Sequence, residues 1–265
     1  MDFLLECIGF PPGQDSDELI DRVRIEGEAV PWRGDPENHK RLEIGSGLEL
    51  RLDREPGQDF WTLLPHCQVP HRLRVATERI EYVPDSPFDA LLVGWACPPA
   101  PGAPDLSETD GAPGAYRLCT WLSDARRLPR KLRPGHVLAV SIAGFAIEVN
   151  AIVPNAQLSD PAHLERRRGA WIAPLGQGDE PAGCAEVSVR VKEIRRVKNR
   201  ITGNTVQVVV ADAPERPLVL FLSPWQLERD GLEQPRPGWR IEGTFFFTGR
   251  ITGGLPRAQS RRSFG

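Results

Sequence analysis

The chain has 265 residues, 40 % of them hydrophobic and 26 % charged, with a formal net charge of −3. That length suits two modest domains, or three, on a prior of roughly 100–200 residues each. No segment reaches the ~18 uninterrupted apolar residues of a membrane helix. The start, Met1 to Glu6, lacks the basic and apolar pattern of a signal peptide, so a cytoplasmic location is expected.

In chain order, Phe3 to Phe10 reads as a strand stopped by Pro11-Pro12-Gly13. Asp15 offers a helix N-cap with Glu18 three positions on, the arrangement of a capping box. Leu19, Ile20 and Val23 supply the apolar face of that helix, and Gly27 can end it. Arg41 to Ile44 and Leu48 to Leu52 alternate across Gly45-Ser46-Gly47, which predicts a hairpin. Residues 1–68 are therefore expected to be an α+β segment.

From Pro70 onward strands dominate. Leu73 to Val83 and Ala90 to Ala96 read as the first pair, followed by an insertion at 98–115 rich in Pro, Gly and acidic residues. That insertion has too few apolar groups to offset ordering entropy and is expected to be a mobile loop. Tyr116 to Leu122, a short turn or helix from Ser123, and strands from His136 to Val153 complete a first unit, residues 69–157. Residues 158–183 read as a linker with a helix starting at Ser159-Asp160-Pro161.

A second unit, residues 184–255, follows. Val187, Val189 and Val191 alternate with polar residues, Asn199 to Asn204 supplies a turn, and Val206 to Val210 and Leu218 to Leu222 are the next strands. Ser223-Pro224-Trp225-Gln226 combines an N-cap, a Pro at the first helical position and a Gln at N3. Trp239, Ile241, Gly243, Phe245 and Phe247 alternate in a last strand, and residues 256–265 form a basic tail.

The two units carry the same words. Leu118 to Ser123, then Arg133-Pro134-Gly135, then Leu138 to Ile142 recur as Leu218 to Ser223, Arg236-Pro237-Gly238 and Ile241 to Phe245. A spacing of about a hundred residues exceeds the roughly 20–50 of a solenoid repeat and predicts duplication of a small domain. Three strands, a short helix and a further strand is an order that resembles the oligonucleotide/oligosaccharide-binding (OB) barrel. The expected class is mainly β, an α+β N-terminal segment followed by two duplicated OB-like barrel units. No fifth strand follows Ile251, so the second barrel is expected either to bend its last run at Gly243 or Gly249, or to stay open.

Charge divides unevenly. From Cys184 to Gly265 there are 14 Arg and Lys against 8 Asp and Glu, a balance of +6 that leaves −9 for the rest. Arg195, Arg196, Lys198 and Arg200 cluster at the first hairpin of the second unit, with Trp225, Trp239 and Phe246 as aromatic neighbours. Clustered cations with stacking rings suit single-stranded nucleic acid. The competing reading is a solvated hairpin paired with the acidic N-terminal half, its aromatics in the core.

Five scattered cysteines without a Cys-x-x-Cys pair argue against a disulfide framework or a zinc knot and read as small buried thiols. His66 and His71, with Glu49 as a carboxylate partner, are a weaker grouping that a loop could converge on a metal or small ligand. No nucleophile elbow, phosphate-binding Gly-rich loop or His-Glu-x-x-His is present, and no cofactor is implied. The leading expectation is a non-enzymatic binding or assembly protein, its partner a protein or a single strand. The alternative is an enzyme or small-ligand protein with a site between the N-terminal segment and the first unit.

Overall fold

The computed structural model describes residues 2–30, 37–54, 57, 59–83, 86, 89–98, 114–129, 132–154, 171–175, 183–214 and 216–256. The insertion at 98–115, the helix after Ser159 and the basic tail lie outside these, apart from Pro98, Gly114, Ala115 and Pro256.

The first apolar run is a helix, α1 (Asp2–Cys7), where a strand was expected. Short apolar runs satisfy either period, and here Leu4, Cys7 and Ile8 recur at helical spacing and are buried. Gly9 then turns the chain at φ +92°, where a Cβ would lie 2.9 Å from Val206, so Gly is required for both conformation and space. Helix α2 (Ser16–Glu26) forms as expected. The Asp15 carboxylate accepts from the backbone N–H of Asp17 and Glu18, and Leu19 and Val23 are buried.

Strands β1 (Glu28–Ala29), β2 (His39–Gly45), β3 (Leu48–Asp53) and β4 (Thr62–Cys67) make a four-stranded antiparallel sheet in that order. The expected hairpin is β2–β3, whereas β1 and β4 lack a clear sequence signal. Leucines alternate with Glu49, Arg51 and Asp53 along β3, yet all six residues are buried. Alternation ordinarily marks one dry and one wet face. Both faces of β3 are dry because the polar face rests against the larger sheet, Arg51 reaching Ser123 there.

The rest of the described chain contributes β5 (Leu73–Tyr82), β6 (Ala90–Ala96), β7 (Tyr116–Leu122), a 3-10 turn (Ala125–Arg127) and β8 (Val137–Pro154). Strand β9 (Trp171–Pro174) lies inside the stretch expected to be a linker. It pairs with β10 (Cys184–Lys198), ahead of β11 (Thr205–Ala211), β12 (Leu218–Phe221), helix α3 (Pro224–Arg229) and β13 (Trp239–Gly253). Ser223 caps α3 by accepting the Gln226 N–H at 3.0 Å. Strand, short helix and strand thus follow one another in both repeated segments. The molecule is mainly β, built on one large mixed sheet with a small helical N-terminus.

The pairings run in two circuits. Strands β5, β6 and β7 pair antiparallel in sequence, β8 returns antiparallel to β5, and β13 lies between β7 and β8, parallel to the former. Strands β10, β11 and β12 do likewise, β13 returns to β10, and β8 lies parallel to β12. Along β8 and β13, Gly144 faces Phe247, flanked by Ala143 opposite Thr248 and Phe145 opposite Phe246. Strand β13 neither splits in two nor leaves its circuit open, contrary to expectation. It runs continuously with register shifts at Glu242/Gly243 and Thr244/Phe245, and the fifth position of each circuit is filled by the long strand of the other unit. One cluster of buried apolar side chains runs from Leu4 and Leu50 through Phe145 and Phe221 to Phe245. None of the described helices is long and apolar enough to cross a membrane.

Candidate functional site

The clustered basic residues Arg195, Arg196, Lys198 and Arg200 sit on β10 and the turn after it. Successive side chains on a strand point to opposite faces, so Arg195 shares a face with Glu193 and Val197, while Arg196 and Lys198 take the other. Arg195 makes a two-pronged contact with Glu193 at 2.9 and 3.1 Å. The turn itself docks on the N-terminus. Asn199, fully buried, donates to Ile8 O at 2.8 Å, Thr202 and Asn204 donate to Gly9 O, and Arg200 donates its backbone N–H to Ile44 O. The Arg200 side chain lies 3.7 Å from Glu43.

Trp225 and Trp239 are half-buried, the latter beneath Arg236 at 5.0 Å. Phe246 is 8 % exposed and packs on Trp121, so neither face of its ring is open to a base. That corrects its assignment as a stacking residue. The structure does not bring the seven residues into one surface.

Two variants separate docking from phosphate binding. Replacing Arg195, Arg196, Lys198 and Arg200 together by Ala is expected to shift stability by less than about 1 kcal/mol, because exposed ion pairs contribute little. Asn199→Ala strands the Ile8 carbonyl and the Ile201 and Thr202 amides and is expected to cost about 2–3 kcal/mol. Thermal melts check both. Loss of salt-sensitive single-strand binding in the four-Ala protein, followed by fluorescence anisotropy, would be the opposite result.

The polar seam between the N-terminal sheet and the large sheet is the other grouping. Glu49 and His66 are cross-strand partners on β3 and β4, both buried, with His66 Nδ1 3.2 Å from Glu49 Oε1 but poorly aligned for a hydrogen bond. Arg51, two positions along the same face, donates to Glu49 at 3.0 Å and to Ser123 Oγ. Gln68 Nε2 donates to the second Glu49 oxygen at 3.1 Å. Asp124, buried beside Ser123, accepts the backbone N–H of Ile251 at 3.0 Å and pairs with Arg127 at 3.0 Å. His71 is half-buried and makes no hydrogen bond to Glu49 or His66. Among the described residues no group of three or more His, Cys, Asp or Glu is placed to hold a metal.

Burial, and next the charge of Arg51, push His66 down to about 4 against the opposing pull of Glu49. Burial opposes ionisation of Glu49 too, but contact with His66, the Arg51 guanidinium and the Gln68 amide outweigh it and hold its carboxyl below the ordinary range. At neutral pH the pair is a carboxylate beside a neutral imidazole. Burial pushes the Cys7 and Cys67 thiols up to about 12, which keeps them protonated and poor nucleophiles.

Three recesses open on this seam. The largest, about 560 Å³, is lined by Glu26, Glu28, Glu43 and Glu49 with Arg41 and Arg200. A second of about 330 Å³ is lined by His66, Arg72, Arg127, Ser141, Arg250 and Thr252. A third of about 190 Å³ is apolar, walled by Leu48, Cys67, Val197, Val208 and Phe221. Gln68 borders all three.

Comparison with protein-family models, with curated proteins and with solved structures finds no match to this chain. The seam's own chemistry therefore carries the functional reading. Sequence reasoning singled out Glu49 and His66 and missed Arg51, Gln68, Arg72, Arg127 and Arg250. The one signal for Arg51 was its place beside Glu49 in an alternating strand; Arg127 and Arg250 come from distant segments that only folding brings together.

Proposed function

We propose that this chain is a small-ligand-binding protein whose site is the seam between the N-terminal sheet and the large sheet, to which both units contribute. The observation that carries this reading is the meeting of an acidic, a cationic and an apolar recess at Gln68. Ligand sites are concave, with a few convergent polar groups beside apolar walls, and perturbed titratable groups such as Glu49 and His66 gather at them. The ligand is a molecule with polar ends and an apolar body, bound without covalent chemistry in the cytoplasm.

We read the two circuits as duplicated OB-like barrels that exchange their fifth strands. The repeated sequence words and the mirrored β8–β12 and β13–β7 pairings support that origin. In it, the N-terminal segment is a later cover that makes the site.

Gln68→Trp is the test. Its side chain is exposed, so the bulky ring should fill the junction without disturbing the core. A ligand-observed NMR screen of polar fragments should give hits with the unmodified protein that disappear with the variant. Hits that survive Gln68→Trp, or a screen without hits, would overturn the seam as a binding site.

A further inference from the structure

The cationic recess permits a sharper statement, which rests on the seam being a ligand site. Four guanidiniums, those of Arg51, Arg72, Arg127 and Arg250, gather here around two carboxylates, Glu49 and Asp124. Glu49 is engaged by Arg51 and Gln68. Asp124 is engaged by Arg127 and by the Ile251 N–H. Among the described residues three guanidiniums, those of Arg72, Arg127 and Arg250, line the recess itself and no carboxylate does.

The hydroxyls do not offset that charge. Ser141 Oγ donates to Val69 O at 3.1 Å, and Thr252 Oγ1 donates to Ala139 O at 3.0 Å. The cations are also held in place. Arg127 Nη1 donates to Ile251 O at 2.6 Å as well as to Asp124, which fixes its remaining N–H groups relative to the recess. Arg250 is half-buried on the wall formed by β13, where burial and the nearby Arg51 disfavour its charge. Like charges gathered in a concave site repel one another, and an anion seated among them removes that cost. Guanidinium forks match tetrahedral and carboxylate oxyanions, and several converging from different directions suit the oxygens of a phosphate.

We propose that the recess lined by Arg72, Arg127, Arg250 and His66 binds a phosphate-class oxyanion, carried as the terminal group of the small molecule seated at the seam. A volume of about 330 Å³ accommodates the phosphate and the first atoms of its carrier. The fragment attached to it points toward Gln68 and the apolar recess, which share Val69 and Gln68 as walls.

Thermal denaturation in inorganic phosphate, against chloride at matched ionic strength, reads this directly. With a millimolar Kd, about 20 mM phosphate shifts the folding equilibrium roughly 20-fold, a rise in Tm of about 4–7 °C. A simple phosphomonoester should produce a larger rise than inorganic phosphate, because the carrier gains contacts; equal rises assign the site to free phosphate only and overturn the carrier part. Arg250→Gln should abolish the response. Arg72→Ala, at an exposed position that tolerates truncation, should weaken it at least 10-fold in phosphate concentration even if the Arg250 variant fails to fold. An equal rise in phosphate and chloride, or a response unchanged in Arg72→Ala, would overturn the proposal. Loss of phosphate binding alongside intact, Gln68-dependent fragment binding would leave the seam reading standing.

Discussion

Gly243→Ala is expected to lower stability by about 3 kcal/mol, a fall in Tm of roughly 10 °C, despite adding one methyl group. Gly243 sits where β13 shifts register against β8, opposite Val149. A Cβ there would lie 2.3 Å from the carbonyl oxygen of Glu148 and 3.0 Å from Val149 Cα. Both are backbone atoms, so neither can rotate away as a side-chain tip would. Relief requires moving β8 away from β13, and these are the strands on which the two circuits close. Gly253→Ala is the control. It lies on the same strand, and its added Cβ meets only Ala139 Cβ at 3.6 Å, an ordinary contact. Thermal melts of the two variants should differ by most of the 10 °C, and equal Tm values would show that the β8–β13 seam has slack the geometry does not suggest.

Acidification is expected to weaken the fold through His66. An ordinary histidine in the unfolded chain takes up a proton near 6.5, whereas folded His66 refuses it until about 4. The unfolded state therefore binds more protons throughout that window, and stability falls as pH drops through it. The contribution is fully present above about pH 6.5 and is diminished by on the order of 3 kcal/mol at pH 4. Glu49 has the same sense in a lower window. Its folded carboxyl is held below the ordinary value, so its contribution is present above about 4.5 and is lost as the pH falls further. The two losses follow one another, and the descent should steepen where they meet.

Urea unfolding of the protein and of His66→Gln at several pH values between 7.5 and 4.5 checks this. The variant lowers stability at neutral pH by removing a buried partner of Glu49, but its curve should be flatter through the upper window. The four other histidines are common to both proteins and cancel in the difference. Parallel curves would show that His66 is not the group that senses the proton.

Much of the secondary structure was legible because local physical chemistry decides it. The Asp15 and Ser223 caps, the Asn199-to-Asn204 turn and the alternating runs at β5, β6, β7 and β11 need only near neighbours. Local pattern also predicted that the two units repeat one order of strand, short helix and strand. What it could not decide was α1, because an apolar run of a few residues fits a helix or a strand until something packs on it. Nor could it show that β13 completes the first circuit and β8 the second, since pairing between strands a hundred residues apart depends on long-range register. The candidate site followed the same division. Glu49 and His66 stood out as chemistry-bearing types, but alternation in β3 implied that Glu49 and Arg51 faced water. Only the docking of that face against Ser123 and the end of β13 buried them, shifted the proton affinities of Glu49 and His66 and gathered Arg72, Arg127 and Arg250 around one recess. Residue type and spacing determine which groups a chain can offer; which of them share a dry, charged cavity is decided by how its sheets stack.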